Sequence, residues 1–270
     1  MESPAGWVFY ASNHNGPVSR LVVFVHGFMG KAVTTWSNFE VGAGHRDWWR
    51  EADLLFVGYR STKETITGVA NRLRREIPEF YPTPFPAAMN VGGHPVRKDA
   101  GSPYSELVVI GHSLGGLIVR RALCDAAMEW DKAGRTDPKP ALLTAQIRLF
   151  SPASAGFRAA GFLGILRATS LWRAINMVLS RAPAYTDLQP DSSVLRNTQE
   201  RTERLACQIG FESLAAKIIW ANPDTVVISE RYTTDHVDGT WDETTHTSVC
   251  KPERDAFEKP WIFAETGDPR

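Results

Sequence analysis

The stretch that most constrains the fold of this chain is an apolar run followed by a glycine-rich turn and a helical pattern. Residues 107–110 are apolar and of strand length, residues 111–116 read Gly-His-Ser-Leu-Gly-Gly, and residues 117–124 have a helical pattern. A G-x-S-x-G sequence between a strand and a helix is typical of a nucleophile elbow, a sharp turn that projects a serine hydroxyl. The sequence therefore predicts that Ser113 stands at the end of a sheet strand and at the N-terminus of a helix.

Other apolar runs alternate with helical patterns along the rest of the chain. Strands are predicted at residues 7–11, 20–25, 53–59, 145–150 and 216–221, with a further short one at 226–228. Helices are predicted at residues 36–51, 62–80, 117–124, 187–209 and 252–264. Near-continuous apolar runs are typical of strands that are buried on both faces of a parallel sheet. The alternation predicts an α/β fold in one domain over residues 1–270, with a mostly parallel central sheet and helices on both faces.

Two polar segments are predicted as loops. Residues 81–104 are rich in Pro and Gly and lack periodicity, so we expect them to run over the surface. The charged side chains of Arg97, Lys98 and Asp99 are expected on the solvent side of this loop. Residues 233–247 form the second predicted loop.

Composition and charge argue against a nucleic-acid-binding protein and against a cysteine metal site. The chain has 270 residues, of which 43% are hydrophobic, and 30 basic residues balance 30 acidic ones. No basic stripe suggests a nucleic-acid partner. The scattered cysteines, Cys124, Cys207 and Cys250, lack the spacing of a metal site. Residues 1–6 show no basic start followed by an apolar stretch, so no secretory signal is visible and we expect a cytoplasmic protein.

A serine hydroxyl needs a base to accept its proton, and histidine is the usual choice at neutral pH. Where an elbow carries the serine, the chain order is serine, acid, histidine, which leaves His236 and His246 as candidates. We prefer His246, because it lies on a loop after the last predicted strand and just ahead of the last predicted helix. His26 and His112 lie within glycine turns and are expected to be structural.

The acid is expected between Ser113 and the histidine, at the end of a strand. Asp224 satisfies both conditions, since it follows residues 218–221 through an Asn-Pro turn. A carboxylate there would fix the imidazole tautomer and stabilise the imidazolium. The competing acidic residues are Asp187, Glu230, Asp235 and Asp238.

Acyl transfer also needs hydrogen-bond donors for a developing oxyanion. One is expected to be the backbone N–H of Leu114, the residue after the serine. The second is expected from the glycine turn at residues 26–30, at Phe28 or Met29. The two glycines of that turn would let it approach the reacting centre closely.

Four segments together carry a resemblance to a known group of enzymes: residues 26–30, 111–116, 224–227 and 246–252. With them the chain resembles the α/β-hydrolase superfamily from residue 20 to residue 262. In detail it resembles lipase-like serine esterases related to the GPI inositol-deacylase group. This resemblance implies an eight-stranded, mostly parallel sheet, and a triad of Ser113, Asp224 and His246 that hydrolyses carboxylic esters without a cofactor. The chain departs from the group at residues 151–154, Ser-Pro-Ala-Ser, where Thr-Pro-His is usual.

The segment at residues 159–179 lies where this group inserts a cap. It is strongly apolar, but Arg167, Arg173 and Asn176 interrupt it and argue against a transmembrane span. We predict two short amphipathic helices within a small helical cap over residues 155–200, which would line an acyl pocket or rest on a membrane surface. Two ordinary helices packed on the core are the alternative.

The resemblance implies an esterase or lipase that acts through an acyl-enzyme on Ser113, with a small-molecule or lipid-like ester as substrate. A thioesterase, amidase or peptidase would use the same three residues, and the sequence leaves these alternatives open. A further alternative is a non-catalytic signalling or binding protein that retains the fold.

Overall fold

Strands and helices alternate along the chain, as the sequence predicts. The computed structural model describes residues 6–36, 39, 46–158 and 182–269. The strands are β1 (Val8–Tyr10), β2 (Arg20–Val25), β3 (Ala52–Val57), β4 (Asn90–Val91), β5 (His94–Pro95), β6 (Glu106–His112), β7 (Gln146–Phe150), β8 (Lys217–Asn222) and β9 (Val237–Asp242). The α-helices are α1 (Asp47–Arg50), α2 (Ile66–Glu76), α3 (Leu114–Lys132), α4 (Pro183–Asp187), α5 (Ser193–Ala206) and α6 (Lys259–Thr266). Short 3₁₀ turns lie at Thr34–Trp36, Ile77–Glu79, Pro86–Ala88, Ala141–Thr144 and Glu212–Leu214.

A central sheet organises the described part of the chain, with its strands in the order β1-β3-β2-β6-β7-β8-β9. β1 runs antiparallel to β3, and all other neighbours in this sheet are parallel. β4 and β5 form a separate hairpin. The prediction of a mostly parallel sheet is therefore confirmed. Of the eight strands that the resemblance implies, the described residues supply seven to this sheet.

Apolar side chains cover both faces of the sheet, because β2, β3 and β6 are buried along nearly their whole length. One face packs under α2, α3 and α5. The other face packs against α1 and α6 through a cluster rich in aromatic side chains. Helices on both faces are the arrangement that the continuous apolar runs predict. None of the described helices is both long and apolar enough to cross a membrane.

The register of the central strands brings the two glycine turns together. Val25, at the end of β2, pairs with Gly111 near the end of β6. His112, the last residue of β6, pairs with Phe150 at the end of β7. Since parallel strands place their carboxyl ends at one edge of a sheet, the loop at residues 26–30 and the turn at Ser113 lie side by side.

Several predicted boundaries differ from those in the structure. The helix predicted at residues 62–80 begins later, at Ile66, where the Thr65 side chain accepts a hydrogen bond from the N–H of Gly68. The closing helix is shorter than predicted and begins at Lys259, followed by a proline in its first turn. Residues 226–228 form no strand and contribute only a single bridge, from Val227 to Phe157.

Two predicted segments cannot be compared with the structure along their whole length. The apolar segment at 159–179, and with it the centre of the predicted cap, lies outside the described residues. Most of the helix predicted at 36–51 lies outside them too, and its end corresponds to α1.

The prediction of a loop throughout residues 233–247 was wrong, because β9 lies within it. β9 pairs with β8 along its full length and forms an edge of the sheet. An edge strand needs less apolar surface than a central one. The polar sequence of β9 therefore lacks the apolar pattern from which the other strands were predicted. Trp241 is nevertheless buried, and its indole N–H donates to the Pro269 carbonyl at 2.6 Å.

Arg97, predicted on the solvent side of its loop, is buried instead. Its guanidinium donates two hydrogen bonds to the carboxylate of Asp53, at 2.9 and 2.8 Å. The Tyr104 hydroxyl and the N–H of Ser12 donate to the same carboxylate, at 2.5 and 2.7 Å. Asp53 is fully buried within β3, and a buried carboxylate requires paired charges and hydrogen bonds. The loop at residues 81–104 therefore supplies the counter-ion of a core residue.

We expect Arg97→Met to lower the free energy of unfolding by about 3–5 kcal/mol, because it leaves the buried Asp53 carboxylate without its cation. The matched control is Lys98→Met, at the exposed neighbouring position, which should change stability by less than about 0.5 kcal/mol. Urea unfolding followed by circular dichroism measures both. Two variants of equal stability would contradict a stabilising ion pair.

Candidate active site

Ser113 occupies the turn between β6 and α3 in a backbone conformation that residues other than glycine rarely adopt, with φ 54° and ψ −122°. Its N–H donates to the carbonyl of Phe150 at 3.1 Å. Its own carbonyl accepts from the N–H groups of Gly116 and Ala153, each at 3.0 Å. These three bonds hold the strained turn that is typical of a nucleophile elbow.

Two glycines let neighbouring backbone approach this turn. A Cβ atom on Gly27 would lie 2.9 Å from the Cβ of Ser113. A Cβ atom on Gly115 would lie 2.0 Å from the carbonyl oxygen of Val25. Both distances are too short for any side chain, so these glycines allow the 26–30 loop to lie directly beside the serine and α3 to lie directly on β2.

Hydrogen bonds connect Ser113, His246 and Asp224 in one chain. Nε2 of His246 lies 2.9 Å from Oγ of Ser113, and Nδ1 lies 2.9 Å from Oδ2 of Asp224. Because a carboxylate only accepts, Nδ1 carries the proton, and the lone pair of Nε2 faces the serine hydroxyl. This is the tautomer in which histidine can take the serine proton.

The Asp224 carboxylate is buried but well supplied with donors. Its side chain is 0% exposed, and Oδ1 accepts from the N–H groups of Val226 and Val227 at 2.9 and 3.0 Å. Burial raises the pKa of this carboxyl, but the hydrogen bond and charge of His246 and the two N–H groups outweigh burial. The pKa therefore lies below its ordinary value, and Asp224 is ionised at neutral pH.

Asp235, a competing candidate for the acid, is engaged elsewhere. Its carboxylate accepts two hydrogen bonds from the buried guanidinium of Arg120, at 3.1 and 2.8 Å. It also accepts from the N–H groups of Ala216 and Tyr232. The ring of Tyr232 lies against the Arg120 guanidinium, 4.0 Å from its centre. Asp235 therefore links α3 to the segment before β9 and does not contact His246.

The other sequence candidates also lie apart from the serine. The N–H of Ile66, at the start of α2, donates to Asp187 at 3.4 Å. Glu230 is exposed, and so is His236, which lies at the amino end of β9. Asp238 lies within β9 at a position where the structure describes only the backbone.

The oxyanion candidates differ in their hydrogen bonds. Leu114 is the first residue of α3, and its N–H has no acceptor within the described part of the chain. The N–H of Met29 donates to Oγ of Ser61 at 2.8 Å. The N–H of Met29 is thus engaged in this structure, and the choice of Phe28 or Met29 as the second donor stays a prediction.

Two residues that support the 26–30 loop were missed by sequence reasoning. Besides the bond from Met29 to Ser61, the Tyr59 hydroxyl donates to the carbonyl of His26 at 2.5 Å, and the two rings stack with centres 4.1 Å apart. Tyr59 and Ser61 follow β3, which neighbours β2 in the sheet. Polar residues after β3 lie at the same sheet edge as the residues after β2. From this strand order, Tyr59 and Ser61 could have been predicted to contact the 26–30 loop.

Burial keeps two histidines near the serine neutral. It lowers the pKa of His26 to about 4, despite the bond between Nδ1 and the Gly27 carbonyl. It lowers the pKa of His112 to about 3, and the nearby charge of His246 contributes in the same direction. Both rings resist protonation in the folded protein.

We expect the free energy of unfolding to fall by about 2 kcal/mol for each of these two histidines between about pH 7.5 and about pH 5. The unfolded chain binds protons on them near pH 6.5, at about the ordinary histidine pKa. The folded protein binds them only near pH 4 and below. Their contribution is therefore present above pH 6.5 and is lost as the pH falls through this window.

Urea unfolding at the two pH values measures the effect. His26→Gln should remove about half of it, because one of the two depressed histidines is gone. A denaturation midpoint that does not change over this range would contradict the expected result.

The two buried thiols do not compete with Ser113 as nucleophiles in the described structure. Cys124 and Cys250 are buried, Cys207 is exposed, and all three are free. Burial raises the pKa of the Cys250 thiol to about 12, and burial also raises that of Cys124, so both stay protonated. Within the described ranges, no three His, Cys, Asp or Glu side chains are grouped as metal ligands.

Comparison with known proteins identifies the fold. The family model described as "Putative serine esterase (DUF676)" matches residues 17–145. A lipase of Bacillus licheniformis, in its mature form, is similar over 92% of this chain and 93% of its own, with TM-score 0.51 and 14% identity. An enzyme from Burkholderia cenocepacia described as a "putative aryl esterase" gives TM-score 0.50 and 13% identity over 97% of this chain and 93% of its own. YbtT, the type II thioesterase of the yersiniabactin pathway, gives TM-score 0.50 and 13% identity, with coverages of 90% and 92%.

These likenesses confirm the predicted α/β-hydrolase fold. No curated protein matches the sequence. The family match includes the 26–30 loop and Ser113 but ends before Asp224 and His246, so it does not test the roles predicted for those two residues. The closer resemblance to the GPI inositol-deacylase group stays a prediction.

Proposed function

We propose that this protein, which has the α/β-hydrolase fold, is a serine hydrolase that cleaves carboxylic esters through an acyl-enzyme on Ser113. The observation that carries the proposal is the hydrogen-bonded chain from Asp224 through His246 to Ser113, with the imidazole in the tautomer that a general base requires. The match to a serine-esterase family over residues 17–145 supports the same chemistry.

In the first half of the proposed reaction, Oγ of Ser113 attacks the ester carbonyl carbon while Nε2 of His246 takes the hydroxyl proton. The ionised Asp224 stabilises the imidazolium that forms. The carbonyl oxygen becomes an oxyanion, which, as we propose, accepts hydrogen bonds from the N–H of Leu114 and from that of Phe28 or Met29. When the tetrahedral intermediate collapses, the bond to the alcohol oxygen breaks, and that oxygen receives the proton from His246.

The second half hydrolyses the acyl-enzyme. A water molecule takes the place of the alcohol, gives a proton to Nε2 of His246 and attacks the same carbonyl carbon. The ester bond to Oγ of Ser113 then breaks, and the proton returns to the serine. The free acid leaves, and the tautomer that the structure shows is restored.

The substrate is proposed to be a small-molecule or lipid-like ester with an apolar acyl group. The apolar sequence at residues 159–179, in the predicted cap, supports this choice, and the cap is also where contact with a membrane surface would occur. A thioester would react by the same steps, with a thiol as the leaving group.

A panel of p-nitrophenyl esters from acetate to palmitate, each paired with the thioester and the anilide of the same acid, tests the proposal. We expect kcat/KM to be highest for the esters and to rise with chain length until the acyl pocket is filled. A thioester that reacts faster than its matched ester would make the protein a thioesterase. A purified, folded protein that hydrolyses none of the panel and does not react with a fluorophosphonate would contradict the proposed function.

A further inference from the structure

We propose that His112 is a positioning residue for the His246 base, acting through a hydrogen bond from its Nε2–H to the His246 carbonyl oxygen. The inference rests on the proposed function, since it assigns a role in the same site. His112 is the last residue of β6 and directly precedes Ser113. The nucleophile and the group that supports the base are thus neighbours in the chain.

The bond itself is short and buried. Nε2 of His112 lies 2.7 Å from the His246 carbonyl oxygen, and His112 is 6% exposed. Because a carbonyl only accepts, Nε2 must carry the proton. The centres of the two imidazole rings lie 4.9 Å apart. The ring beside the nucleophile therefore holds the backbone of the residue that carries the base.

The rest of the His112 ring makes no other hydrogen bond. Nδ1 is buried and has no partner in the described structure. A Cβ atom on Gly27 would come within 3.0 Å of it, and the ring of Trp36 packs edge-on at 6.3 Å. A buried polar group without a partner is unfavourable. Among the described residues, the polar contact of the His112 ring that offsets this cost is the bond to His246.

Apart from the bonds of His246, the loop that carries it has its hydrogen bonds within itself in the described structure, and Val249 and Cys250 pack in the core cluster. The N–H of Thr245 donates to Oγ of Ser248, and the N–H of Val249 donates to the carbonyl of Thr245. Such local bonds fix the shape of a turn but not its distance from another strand. The bond from His112 connects the backbone of this loop to β6, and it therefore helps to set the 2.9 Å distance between His246 and Ser113.

The neutral state of His112 suits this role. During acyl transfer His246 becomes an imidazolium, and a second positive charge 4.9 Å away would oppose its formation. Burial keeps His112 neutral at every pH at which a histidine base works. A cationic side chain at this position would provide a hydrogen-bond donor, but its charge would repel the imidazolium of His246.

Two substitutions of nearly equal length test the inference. His112→Gln provides an amide N–H near the position of Nε2–H, whereas His112→Met has no donor. We expect His112→Met to lower kcat for a p-nitrophenyl ester, and the rate of fluorophosphonate labelling of Ser113, by about 10- to 100-fold with KM little changed. His112→Gln should restore most of that loss. His236→Met is the matched control and should change neither rate, because His236 is exposed and lies at the end of β9 opposite the serine.

The possible outcomes separate this inference from the proposed function. If the wild type is labelled and His112→Met is labelled at the same rate, the inference is overturned and the proposed function stands. If the wild type is not labelled, both are overturned. If His112→Met does not fold, ¹⁵N NMR of the histidine rings in the wild type decides. A solvent-protected proton on Nε2 of His112 is expected there, and a proton on Nδ1 instead would overturn the inference.

Discussion

Replacing Ser113 with alanine is expected to lower kcat for a p-nitrophenyl ester by about a million-fold and to abolish labelling by a fluorophosphonate. The physical reason is that Oγ is the only atom of this residue that can form the acyl bond. The backbone conformation, φ 54°, is as accessible to alanine as to serine, so the turn and the fold should be retained. Ester hydrolysis, intact-protein mass spectrometry after labelling, and urea unfolding measure the three quantities.

Ser102→Ala is the matched control for this experiment. Ser102 is exposed in the 81–104 loop and lies before β6, far from its carboxyl end, so its removal should change neither hydrolysis nor labelling. A Ser113→Ala variant that stays folded and is labelled as fast as the wild type would show that the reactive residue lies elsewhere. The proposed acyl-enzyme would then be wrong.

The turn at Ser113 could be predicted because its determinants are local. The apolar run, the glycines and the following helix lie within residues 107–124, and a Cβ atom on Gly111 would meet the backbone of Gly116 in the same turn. The juxtaposition of Asp224 and His246 with the serine could also be anticipated, since chain order and strand ends restrict the choice. What the sequence could not supply was which candidates already have other partners.

Asp235 and Arg97 illustrate that limit. Asp235 competes with Asp224 as the acid in the sequence, but its partner Arg120 lies 115 positions away in the chain. Arg97 reads as a surface charge, because its partner Asp53 lies 44 positions away within an apolar strand. Pairing over such separations depends on the three-dimensional fold and leaves no periodic signal.

The edge strand β9 and the supports of the 26–30 loop were missed for a different reason. β9 is an edge strand, paired on one side only, and its sequence can therefore be polar. The alternation of apolar and polar residues is also weak in Val237–Asp242. Ser61 and Tyr59 act through single hydrogen bonds to backbone atoms. A bond of this kind requires only one hydroxyl at the right position. It therefore has no sequence pattern by which it could be predicted.

The second large effect is expected from Asp224→Asn, which should lower kcat by about 10⁴-fold while the protein stays folded. The amide oxygen can still accept from the N–H groups of Val226 and Val227. Its NH₂ group then faces Nδ1 of His246, which must become an acceptor. The imidazole proton moves to Nε2, so the ring can no longer take the proton of Ser113.

Asp235→Asn is the matched substitution and should have the opposite effects, with a loss of stability and little change in the turnover of folded protein. It removes a charge from the buried pair with Arg120 and is expected to lower the free energy of unfolding by about 3–5 kcal/mol. The folded fraction should turn over substrate at nearly the wild-type rate, because Asp235 does not contact His246. Ester hydrolysis normalised to folded protein, together with urea unfolding, separates the two effects. If Asp235→Asn abolished turnover in folded protein and Asp224→Asn did not, Asp224 would not be the acid that orients the base.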